Sequence, residues 1–320
     1  MDQKTRVSVV MCTYNGEKYI REQIDSIIAQ TYPIYELIIQ DDGSTDATIS
    51  IIEEYMYINN TSTKIYLYKN EKRLGYNKNF MTAILKATGD YIACCDQDDI
   101  WVENKISRLL FAIGDSSLIF HNSVLVTEKL QLIGKLHVKK YPRKIDPIIA
   151  IAYPIAYGHQ ILFKSEVRDL LKTFCAYDIS YDYLIYSLSA IFSGVTFLDE
   201  NLVYWRRYET ATTFNPKSNS YSPLGGYFKA LRALFCRANR SRASKYYFLL
   251  LKTIGLKGEK KSYIKAMSTG KLIDIFFACI LSCRHRKNLY LNMAGRKIFI
   301  RSLFLPLFFV RDHGRYIINN

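Results

Sequence analysis

The sequence predicts an α/β protein with a doubly wound, mostly parallel sheet and a helical, basic C-terminal extension. In the first hundred residues, short apolar runs alternate with segments whose apolar residues have helical spacing, which is the pattern of parallel sheets covered by helices. Polar clusters follow three of these runs. Residues 225–320 carry 20 Lys and Arg against three acidic residues, a net charge of +17, whereas residues 1–224 are nearly neutral.

The elements of the first hundred residues follow from the spacing of their apolar side chains. Continuous apolar runs bounded by polar residues predict buried strands at 7–12, 35–40, 64–68 and 91–95. Apolar residues three and four positions apart predict helices at 17–30, 46–57 and 77–87. In such parallel sheets, ligands bind beyond the carboxyl ends of the strands.

Three polar clusters fall at those carboxyl ends. They are Thr13-Tyr14-Asn15-Gly16 after the first strand, Asp41-Asp42-Gly43-Ser44 after the second and Asp96-Gln97-Asp98-Asp99 after the fourth. Their position at one sheet edge predicts a single binding site. The chain has no GxGxxG fingerprint, no P-loop motif and no GxSxG elbow. These absences disfavour a dinucleotide-binding protein, a P-loop nucleotide-binding protein and an α/β-hydrolase.

The carboxylates of Asp96, Asp98 and Asp99 are the sharpest chemical signal. Carboxylates this close repel one another unless a divalent cation holds them, and hard oxygen ligands suit Mg or Mn. The structural alternative is a polar turn, in which Asp is common. In the second cluster, Ser44 or Thr45 could cap the following helix. Capping does not need two acids before the glycine, so we expect one of them to accept hydrogen bonds from a ligand.

Four motifs, in order, are VSVVMCTYNGEKYIREQIDSIIAQTY, ELIIQDDGSTDAT, NEKRLGYNKNF and GDYIACCDQDDIW. Together they resemble the family 2 glycosyltransferases, and within that family the rhamnosyltransferase-like enzymes of bacterial surface-polysaccharide assembly. The resemblance is dense over residues 5–115 and sparser to about residue 214. It implies a GT-A fold and an inverting transfer of a sugar, rhamnose being one candidate, from a nucleotide diphosphate sugar. The implied acceptor is lipid-linked or a growing polysaccharide, such as capsule or O-antigen.

The resemblance also implies roles for the clustered residues. Thr13 and Tyr14 would line the pocket of the nucleotide base, and Asp42 would bind the edge of the base. Asp98 and Asp99 would contact the ribose and the Mg or Mn that bridges the diphosphate, with Asp96 supporting them. A divalent ion would neutralise the charge that develops on the leaving nucleoside diphosphate.

Inversion requires a base on the acceptor side, and the resemblance places it at the start of a helix in the second half. Asp182 of ISYDYLIYSL occupies that position. The structural alternative is an acid favoured by the helix dipole, and Asp178 is the rival carboxylate. The segment GHQILF at 158–163 resembles the acceptor-side strand, so Gly158 and His159 would border the pocket.

One motif departs from the family pattern. Where many relatives end a strand with WRRH or YRxH, this chain reads Trp205-Arg206-Arg207-Tyr208. Tyr is a poorer metal or diphosphate ligand than His at neutral pH, and Arg206 or Arg207 would compensate by binding phosphate.

The basic tail has an amphipathic start. At helical spacing, one arc of the tail holds Tyr227, Phe228, Leu231, Leu234 and Phe235, opposite four basic side chains. The apolar segments 272–283 and 298–310 are bordered by Lys and Arg, and neither is a membrane span. This pattern favours an anionic membrane surface over nucleic acid as partner. The alternative is a helix that packs on the body with a solvated basic face.

We therefore expect a nucleotide-sugar-binding half at 1–115, an acceptor-binding half at 116–224 and a basic amphipathic helical tail at 225–320. Seven cysteines without a CxxC pair, and no apolar run of signal-peptide length, predict a reducing compartment. The expected location is thus the cytoplasm, peripheral at the inner face of the cell membrane.

Two other function classes compete with this hypothesis. A sugar-phosphate nucleotidylyltransferase would need a Gly-rich phosphate loop after the first strand, which the sequence lacks. A basic nucleic-acid-binding or membrane-binding protein without catalysis accounts for the tail but not for the carboxylate clusters. With 49% hydrophobic and 23% charged residues, a disordered, collagen-like or coiled-coil chain is excluded.

Overall fold

The computed structural model describes residues 5–58, 63–137, 140–177, 179–208, 223–253, 255–291 and 293–312. The chain divides into two compact units. Unit 1 consists of Met1–Val138, Ala156–Ala176 and Leu198–Tyr208, and unit 2 consists of Lys139–Ile155, Tyr177–Phe197 and Glu209–Asn320. This division cuts across the three segments expected from the sequence, whose separate roles stay predictions.

Ten strands and thirteen α-helices lie in the described residues. The strands are β1 Val7–Thr13, β2 Glu36–Asp41, β3 Lys64–Lys69, β4 Tyr91–Cys95, β5 Ile100–Trp101, β6 Leu118–Val126, β7 Leu132–Lys135, β8 Lys144–Ile145, β9 Ile161–Lys164 and β10 Val195–Arg206. The helices of the first two hundred residues are α1 Ile20–Ile28, α2 Thr48–Ile58, α3 Tyr76–Ile84, α4 Lys105–Ile113, α5 Pro147–Ala152, α6 Ser165–Leu171 and α7 Tyr181–Phe192. Those of the C-terminal part are α8 Pro223–Phe235, α9 Arg237–Leu250, α10 Gly258–Ser268, α11 Leu272–Arg284, α12 Gly295–Leu303 and α13 Leu305–Asp312.

The sheet has the strand order β3-β2-β1-β4-β9-β6-β10-β5. Its first four strands pair in parallel, while β9 pairs antiparallel with both β4 and β6. The strand β7 extends the sheet beside β6, and the first residues of β10 pair with β8. The predicted doubly wound α/β sheet, mostly parallel at its core, and the helical C-terminal extension are therefore confirmed.

The two central parallel strands, β1 and β2, are buried on both faces. All six residues of β2 are buried, as are six of the seven residues of β1, which is expected for strands covered by helices on both sides. Val9, Leu37 and Ala93 of three neighbouring strands belong to one core with Ile24 of α1 and Ile52 of α2.

The second helix starts later than the sequence predicted, and its cap is a different residue. It begins at Thr48, whose backbone N–H donates to the Asp46 carboxylate at 3.0 Å. The Asp46 side chain thus satisfies a free amide at the helix start. Ser44, one of the two expected caps, has a different partner: its Oγ accepts the backbone N–H of Asn15 at 2.9 Å.

Unit 2 is built around aromatic side chains. Its largest fully buried residues include Tyr246, Tyr247 and Phe309, whose rings lie 4.9–5.5 Å apart. The Tyr247 hydroxyl donates to the Ile151 carbonyl of α5 at 3.0 Å, so the buried phenol is satisfied. None of the helices in the described residues combines the length and the hydropathy that a bilayer crossing needs.

Candidate functional site

The three polar clusters meet at one edge of the sheet in unit 1, as the sequence predicted. Thr13 is the register partner of Asp41, and its hydroxyl donates to that carboxylate at 2.8 Å. The Tyr14 N–H donates to Gln97 Oε1 at 2.9 Å, and Gln97 Nε2 donates to the Tyr14 carbonyl at 3.1 Å. A Cβ at Gly16 would lie 2.7 Å from Gln97 Cδ, so a larger residue would displace the Gln97 side chain from its position against Tyr14.

The two acids of the second cluster have different partners. Asp41 is fully buried and accepts the backbone N–H groups of Gly43 and Ser44 at 3.0 and 2.8 Å, in addition to Thr13. These bonds hold the turn after β2. Asp41 is therefore a residue that shapes the site rather than one that meets a ligand.

Asp42 holds the segment before α3. Its carboxylate accepts the backbone N–H groups of Leu74 and Gly75 at 2.6 and 2.9 Å and the Asn70 amide at 2.8 Å. The neighbouring Arg73 guanidinium lies 3.8 Å from the centroid of the half-exposed Tyr14 ring. Asp42 thus connects the second cluster to the NEKRLGYNKNF motif, and its proposed contact with the base stays a prediction.

The acidic side chains of the third cluster differ in solvent exposure. The Asp96 side chain is 37% exposed, whereas Asp99 is completely buried. Asp98 lies between them in sequence and accepts the Tyr208 hydroxyl at 2.5 Å. Asp99 Oδ1 accepts the Arg206 backbone N–H at 3.1 Å, while Asp99 Oδ2 is buried without a hydrogen-bond partner.

Burial is the main cause that raises the pKa of Asp98 and of Asp99. Burial, followed by the charges of Asp98 and Asp96, raises the pKa of Asp99 well above its usual value. Burial also raises the pKa of Asp98, against the hydrogen bond from Tyr208 that lowers it. An uncompensated carboxylate in this position favours the binding of a cation or a proton.

A histidine completes the cluster. One ligand atom each from Asp96, Asp99 and His159 lies within 4.8 Å of the others. The His159 ring is 1% exposed and lies 4.6 Å from the Trp205 ring centroid. Burial lowers the pKa of His159 well below its usual value, so the imidazole is neutral, the form that ligates metals.

A buried lysine lies behind this histidine. Lys105 is fully buried, and its Nζ donates to the His159 carbonyl at 2.8 Å and lies 3.5 Å from the Trp101 ring centroid. Burial lowers the pKa of Lys105 to about 7, while Cys95 and Asp99 oppose the shift. The lysine fixes the backbone at His159 and places a titratable positive charge beneath the acids.

The two arginines of the Trp205-Arg206-Arg207-Tyr208 motif have different surroundings. The Arg206 guanidinium is buried, forms an ion pair with Glu22 and lies over the Tyr19 ring at 4.6 Å. Arg207 lies over the Trp205 ring at 4.4 Å. Burial lowers the pKa of Arg207, and Tyr157, Asp99 and Asp98 oppose this effect. The charges of both arginines oppose the effect of burial on the pKa of Asp98, that of Arg206 more than that of Arg207, and the phosphate-binding role of either arginine stays a prediction.

Asp182 lies in unit 2, in the first turn of α7. It accepts the Ser180 hydroxyl and, at 2.9 Å, the Tyr183 backbone N–H. These bonds are those expected of an acid at a helix N-terminus. Its role as a base stays a prediction, and the rival Asp178 lies outside the described residues.

Sequence reasoning missed the functional placement of two residues. Lys105 falls on the same face of α4 as the buried Ile106 and Leu109, and a lysine on an apolar helix face was the available signal. His159 was expected at the edge of the acceptor pocket. Its approach to Asp96 and Asp99 depends on β9 lying beside β4, which no local pattern indicates.

Comparison with known proteins identifies relatives of this chain. The sequence profile of glycosyl transferase family 2 matches residues 8–171. The putative glycosyltransferase EpsE of Bacillus subtilis is 38% identical over 173 residues, which are 53% of this chain and 60% of EpsE. WfgD of Escherichia coli, a UDP-Glc:alpha-D-GlcNAc-diphosphoundecaprenol beta-1,3-glucosyltransferase, is 34% identical over 128 residues, which are 37% of this chain and 49% of WfgD. The matched regions thus span about half to two thirds of these relatives.

Two solved structures share the fold over nearly the whole chain. Staphylococcus aureus TarS in complex with UDP-GlcNAc superposes with a TM-score of 0.54 at 17% identity, covering 97% of this chain and 91% of the TarS chain. The mannosyltransferase PcManGT of Pyrobaculum calidifontis, in complex with GDP-Man and Mn2+, gives a TM-score of 0.52 at 16% identity, with coverages of 97% and 86%. The architecture of this chain is therefore that of GT-A glycosyltransferases.

Proposed function

The chain belongs to glycosyl transferase family 2, and we propose that it is an inverting enzyme that moves a sugar from a nucleotide diphosphate sugar to a lipid-linked or polysaccharide acceptor. The observation that carries the proposal is the convergence of the three polar clusters, the third of which contains the buried Asp99 Oδ2 without a hydrogen-bond partner. A sugar-phosphate nucleotidylyltransferase is disfavoured by the family assignment, and we propose no nucleic-acid partner.

Different residues at the sheet edge would bind the nucleoside, the phosphates and the cation of the donor. Tyr14 and Asp42 flank the segment 70–75 and offer an aromatic face and a carboxylate to the nucleoside. Arg206 or Arg207 is the proposed phosphate ligand, because a guanidinium pairs with two phosphate oxygens at once. A Mg or Mn ion at the acidic cluster would neutralise charge on the departing diphosphate, and the orphaned Asp99 Oδ2 fits such an ion.

The acceptor chemistry needs only one proton transfer. Asp182 would accept the proton of the acceptor hydroxyl as that oxygen attacks the anomeric carbon from the face opposite the leaving group. WfgD, by its name, acts on a diphosphoundecaprenol-linked acceptor, which supports a lipid-linked glycan as the acceptor class here. A panel of nucleotide sugars, dTDP-rhamnose included, assayed against membrane extracts would identify the donor.

The first test is nucleotide binding in the full-length protein. We expect UDP or GDP to bind at least tenfold more tightly with Mn2+ than with EDTA, because the cation offsets the repulsion between diphosphate and carboxylates. Isothermal titration calorimetry measures this, with adenosine monophosphate as the control. Equal affinity with and without the cation would contradict the proposed site.

We also propose that unit 2 attaches the enzyme to an anionic membrane, at the inner face of the cell membrane. The α11–α12 apolar surface consists of exposed side chains at one-face helical spacing on α11 and two more on α12, namely Ile273, Phe276, Phe277, Ile280, Phe299 and Ile300. Ile273 is 76% and Phe276 61% exposed. Exposed apolar side chains in such a patch favour an interaction partner.

The basic residues around this surface favour an anionic bilayer as the partner. The exposed residues Lys271, Arg284, Arg296 and Lys297 border the α11–α12 apolar surface, and each basic residue near an anionic membrane contributes about 1 kcal/mol. The acid on α11, Asp274, accepts the Thr269 hydroxyl at 2.7 Å and is partly buried. The predicted amphipathic helix α8 adds Phe228 and Phe235, both 70% exposed.

Flotation with phosphatidylglycerol vesicles tests this attachment. The double variant Phe276→Ser and Phe277→Ser is expected to bind at least tenfold more weakly, because inserting each Phe contributes about 1.5 kcal/mol or more. High salt should weaken binding of the wild type. Phe111→Ser, which removes an 81% exposed Phe of unit 1, is the matched control. A wild-type protein that stays at the bottom of a low-salt gradient, or binds RNA with a steep salt slope, would overturn the proposal.

A further inference from the structure

We propose that Ser180 and Tyr246 are positioning residues for the Asp182 carboxylate, and that helix α9 of the basic tail is thereby part of the acceptor side of the enzyme. The inference rests on the proposed function, because it assigns the groups that hold the proposed base. All three residues lie in unit 2. Tyr246 lies outside every motif by which the sequence predicted the site.

The orientation of the Asp182 carboxylate is set by two donors. Ser180 directly precedes α7, and its hydroxyl donates to Asp182 Oδ1. The Tyr183 backbone N–H donates to the same oxygen at 2.9 Å. Two donors on one oxygen restrict the rotation of the carboxylate. A hydroxyl that donates to a carboxylate also favours its charged form, which is the form that accepts a proton. Ser180 therefore orients the proposed base and keeps it ionised.

Tyr246 holds the backbone of the residue that follows Asp182. Its hydroxyl donates to the Tyr183 carbonyl at 3.0 Å and lies 2.8 Å from Ser187 Oγ. Tyr183 thus has its N–H on the proposed base and its carbonyl on the phenol. The Tyr246 ring is 2% exposed and packs against the Phe309 ring of α13 at 5.3 Å. Because the ring is enclosed, its hydroxyl is held at the first turn of α7.

The phenol and the proposed base also interact electrostatically. Burial raises the pKa of Tyr246, the hydrogen bond with Ser187 lowers it, and the charge of Asp182 raises it. The phenol is therefore neutral at physiological pH and remains a hydrogen-bond donor. Since the Asp182 charge acts on this buried group, a change at either residue is felt by the other.

These contacts give the basic tail a second function. Under the proposed attachment, exposed side chains of α8, α11 and α12 meet the membrane, whereas the buried Tyr246 of α9 contacts the start of α7. A tail that only anchored the enzyme would be dispensable for the chemistry, but a tail that positions the base is needed for it. Deleting residues 225–320 would remove both functions at once, so single substitutions are required to separate them.

The first measurement is the titration of Asp182 in the full-length protein, which needs no substrate. With aspartate labelled at its carboxyl carbon with 13C, the Asp182 signal is assigned by its loss in Asp182→Asn. Ser180→Ala should move the titration midpoint to higher pH by about one unit, because a hydrogen bond to a charged group is lost. Ser180→Thr, which keeps the hydroxyl, should titrate as the wild type does. Ser189→Ala is the matched control, since Ser189 Oγ is buried in the same helix without a hydrogen-bond partner among the described residues.

The second measurement is sugar transfer to membrane extract from the donor that the nucleotide-sugar panel identifies. Ser180→Ala should lower kcat by about tenfold, because the base is less well oriented. The KM for the donor and the affinity for UDP with Mn2+ should stay unchanged. Ser180→Thr should restore transfer, a rescue that loss of packing at this position would not give.

Tyr246 is tested by removing only its hydroxyl. Tyr246→Phe keeps the ring against Phe309 and should lower kcat by about fivefold, with UDP affinity unchanged. Tyr247→Phe is the matched control, because it also removes a buried phenol that donates to a backbone carbonyl at 3.0 Å, in this case that of Ile151 in α5. Tyr247→Phe should transfer within about twofold of the wild type.

The outcomes separate this inference from the proposed function. If Ser180→Ala titrates and transfers as the wild type does, or if Tyr246→Phe loses no more transfer than Tyr247→Phe, the positioning assignment is wrong and the glycosyltransferase site stands. If Asp182→Asn transfers normally, the proposed base and this inference are both wrong. A wild type that binds no UDP with Mn2+ would instead overturn the proposed donor site, and with it the function on which this inference rests.

Discussion

Replacing Asp99 by asparagine is expected to reduce sugar transfer by about a thousandfold, a loss on the order of 4 kcal/mol of transition-state stabilisation. The carboxylate is buried, and its Oδ2 has no hydrogen-bond partner within the protein. Its charge is thus available for a cation at the diphosphate, and a neutral amide supplies none. A transfer or donor-hydrolysis assay with Mn2+ measures the loss, and EDTA should reproduce it in the wild type.

The same substitution should stabilise the metal-free protein. Burial raises the pKa of Asp99 well above its usual value, so ionising it costs more in the folded than in the unfolded state. For a carboxyl whose folded pKa is raised, the cost appears above the unfolded pKa and grows as pH rises toward the folded pKa. In EDTA, the thermal midpoint of Asp99→Asn should therefore exceed that of the wild type by a margin that widens as the pH rises above the usual carboxyl range toward the raised pKa of Asp99.

A matched control separates this effect from the loss of any acid. Asp115 is an exposed carboxyl of unit 1, and Asp115→Asn should change neither transfer nor the pH dependence of stability. Full activity of Asp99→Asn, or a wild type as active in EDTA as in Mn2+, would contradict a metal site at this residue. A lower thermal midpoint for Asp99→Asn in EDTA would contradict the electrostatic argument.

The second large effect is expected at Asp182. Asp182→Asn keeps the size of the side chain but removes the proton acceptor, so transfer should fall by about a hundredfold or more. Binding of UDP with Mn2+ should be unchanged, because the proposed donor residues lie in unit 1. Calorimetry and a transfer assay on the same preparations measure the two quantities.

The same measurement on Asp178→Asn, which removes the rival carboxylate, decides how the Asp182→Asn result is interpreted. If Asp178→Asn loses transfer while Asp182→Asn does not, the base is Asp178. If Asp182→Asn also lowers the thermal midpoint strongly, part of its effect is structural, because its carboxylate accepts bonds from Ser180 and Tyr183 at the start of α7. A normal midpoint with lost transfer would support the chemical role.

Local pattern predicted the sheet and the location of the site. The apolar runs of β1, β2, β3 and β4 and the helical spacing between them are short-range properties, and parallel pairing brings the carboxyl ends of such strands to one edge. The four motifs that predicted the family lie at or beside those strand ends, and each is a short stretch of consecutive residues that can be identified without the structure. Helix starts were less well predicted, because the cap at Asp46 depends on one side-chain bond.

The sequence by itself determined the fold class, the edge at which the polar clusters meet and the presence of an amphipathic basic tail. Tertiary structure alone decided which carboxylate is buried, because Asp99 is enclosed beside Arg206, 107 positions away in the chain. It also placed His159 and Lys105 beneath the acids, since β9 and α4 meet there only in the folded chain. In α8, three residues of the predicted apolar arc, Phe228, Leu231 and Phe235, are exposed, whereas the buried residues Ala230 and Ala233 lie outside that arc. Periodicity indicates that a helix has an apolar face, but the neighbouring helices determine which side of the helix is buried.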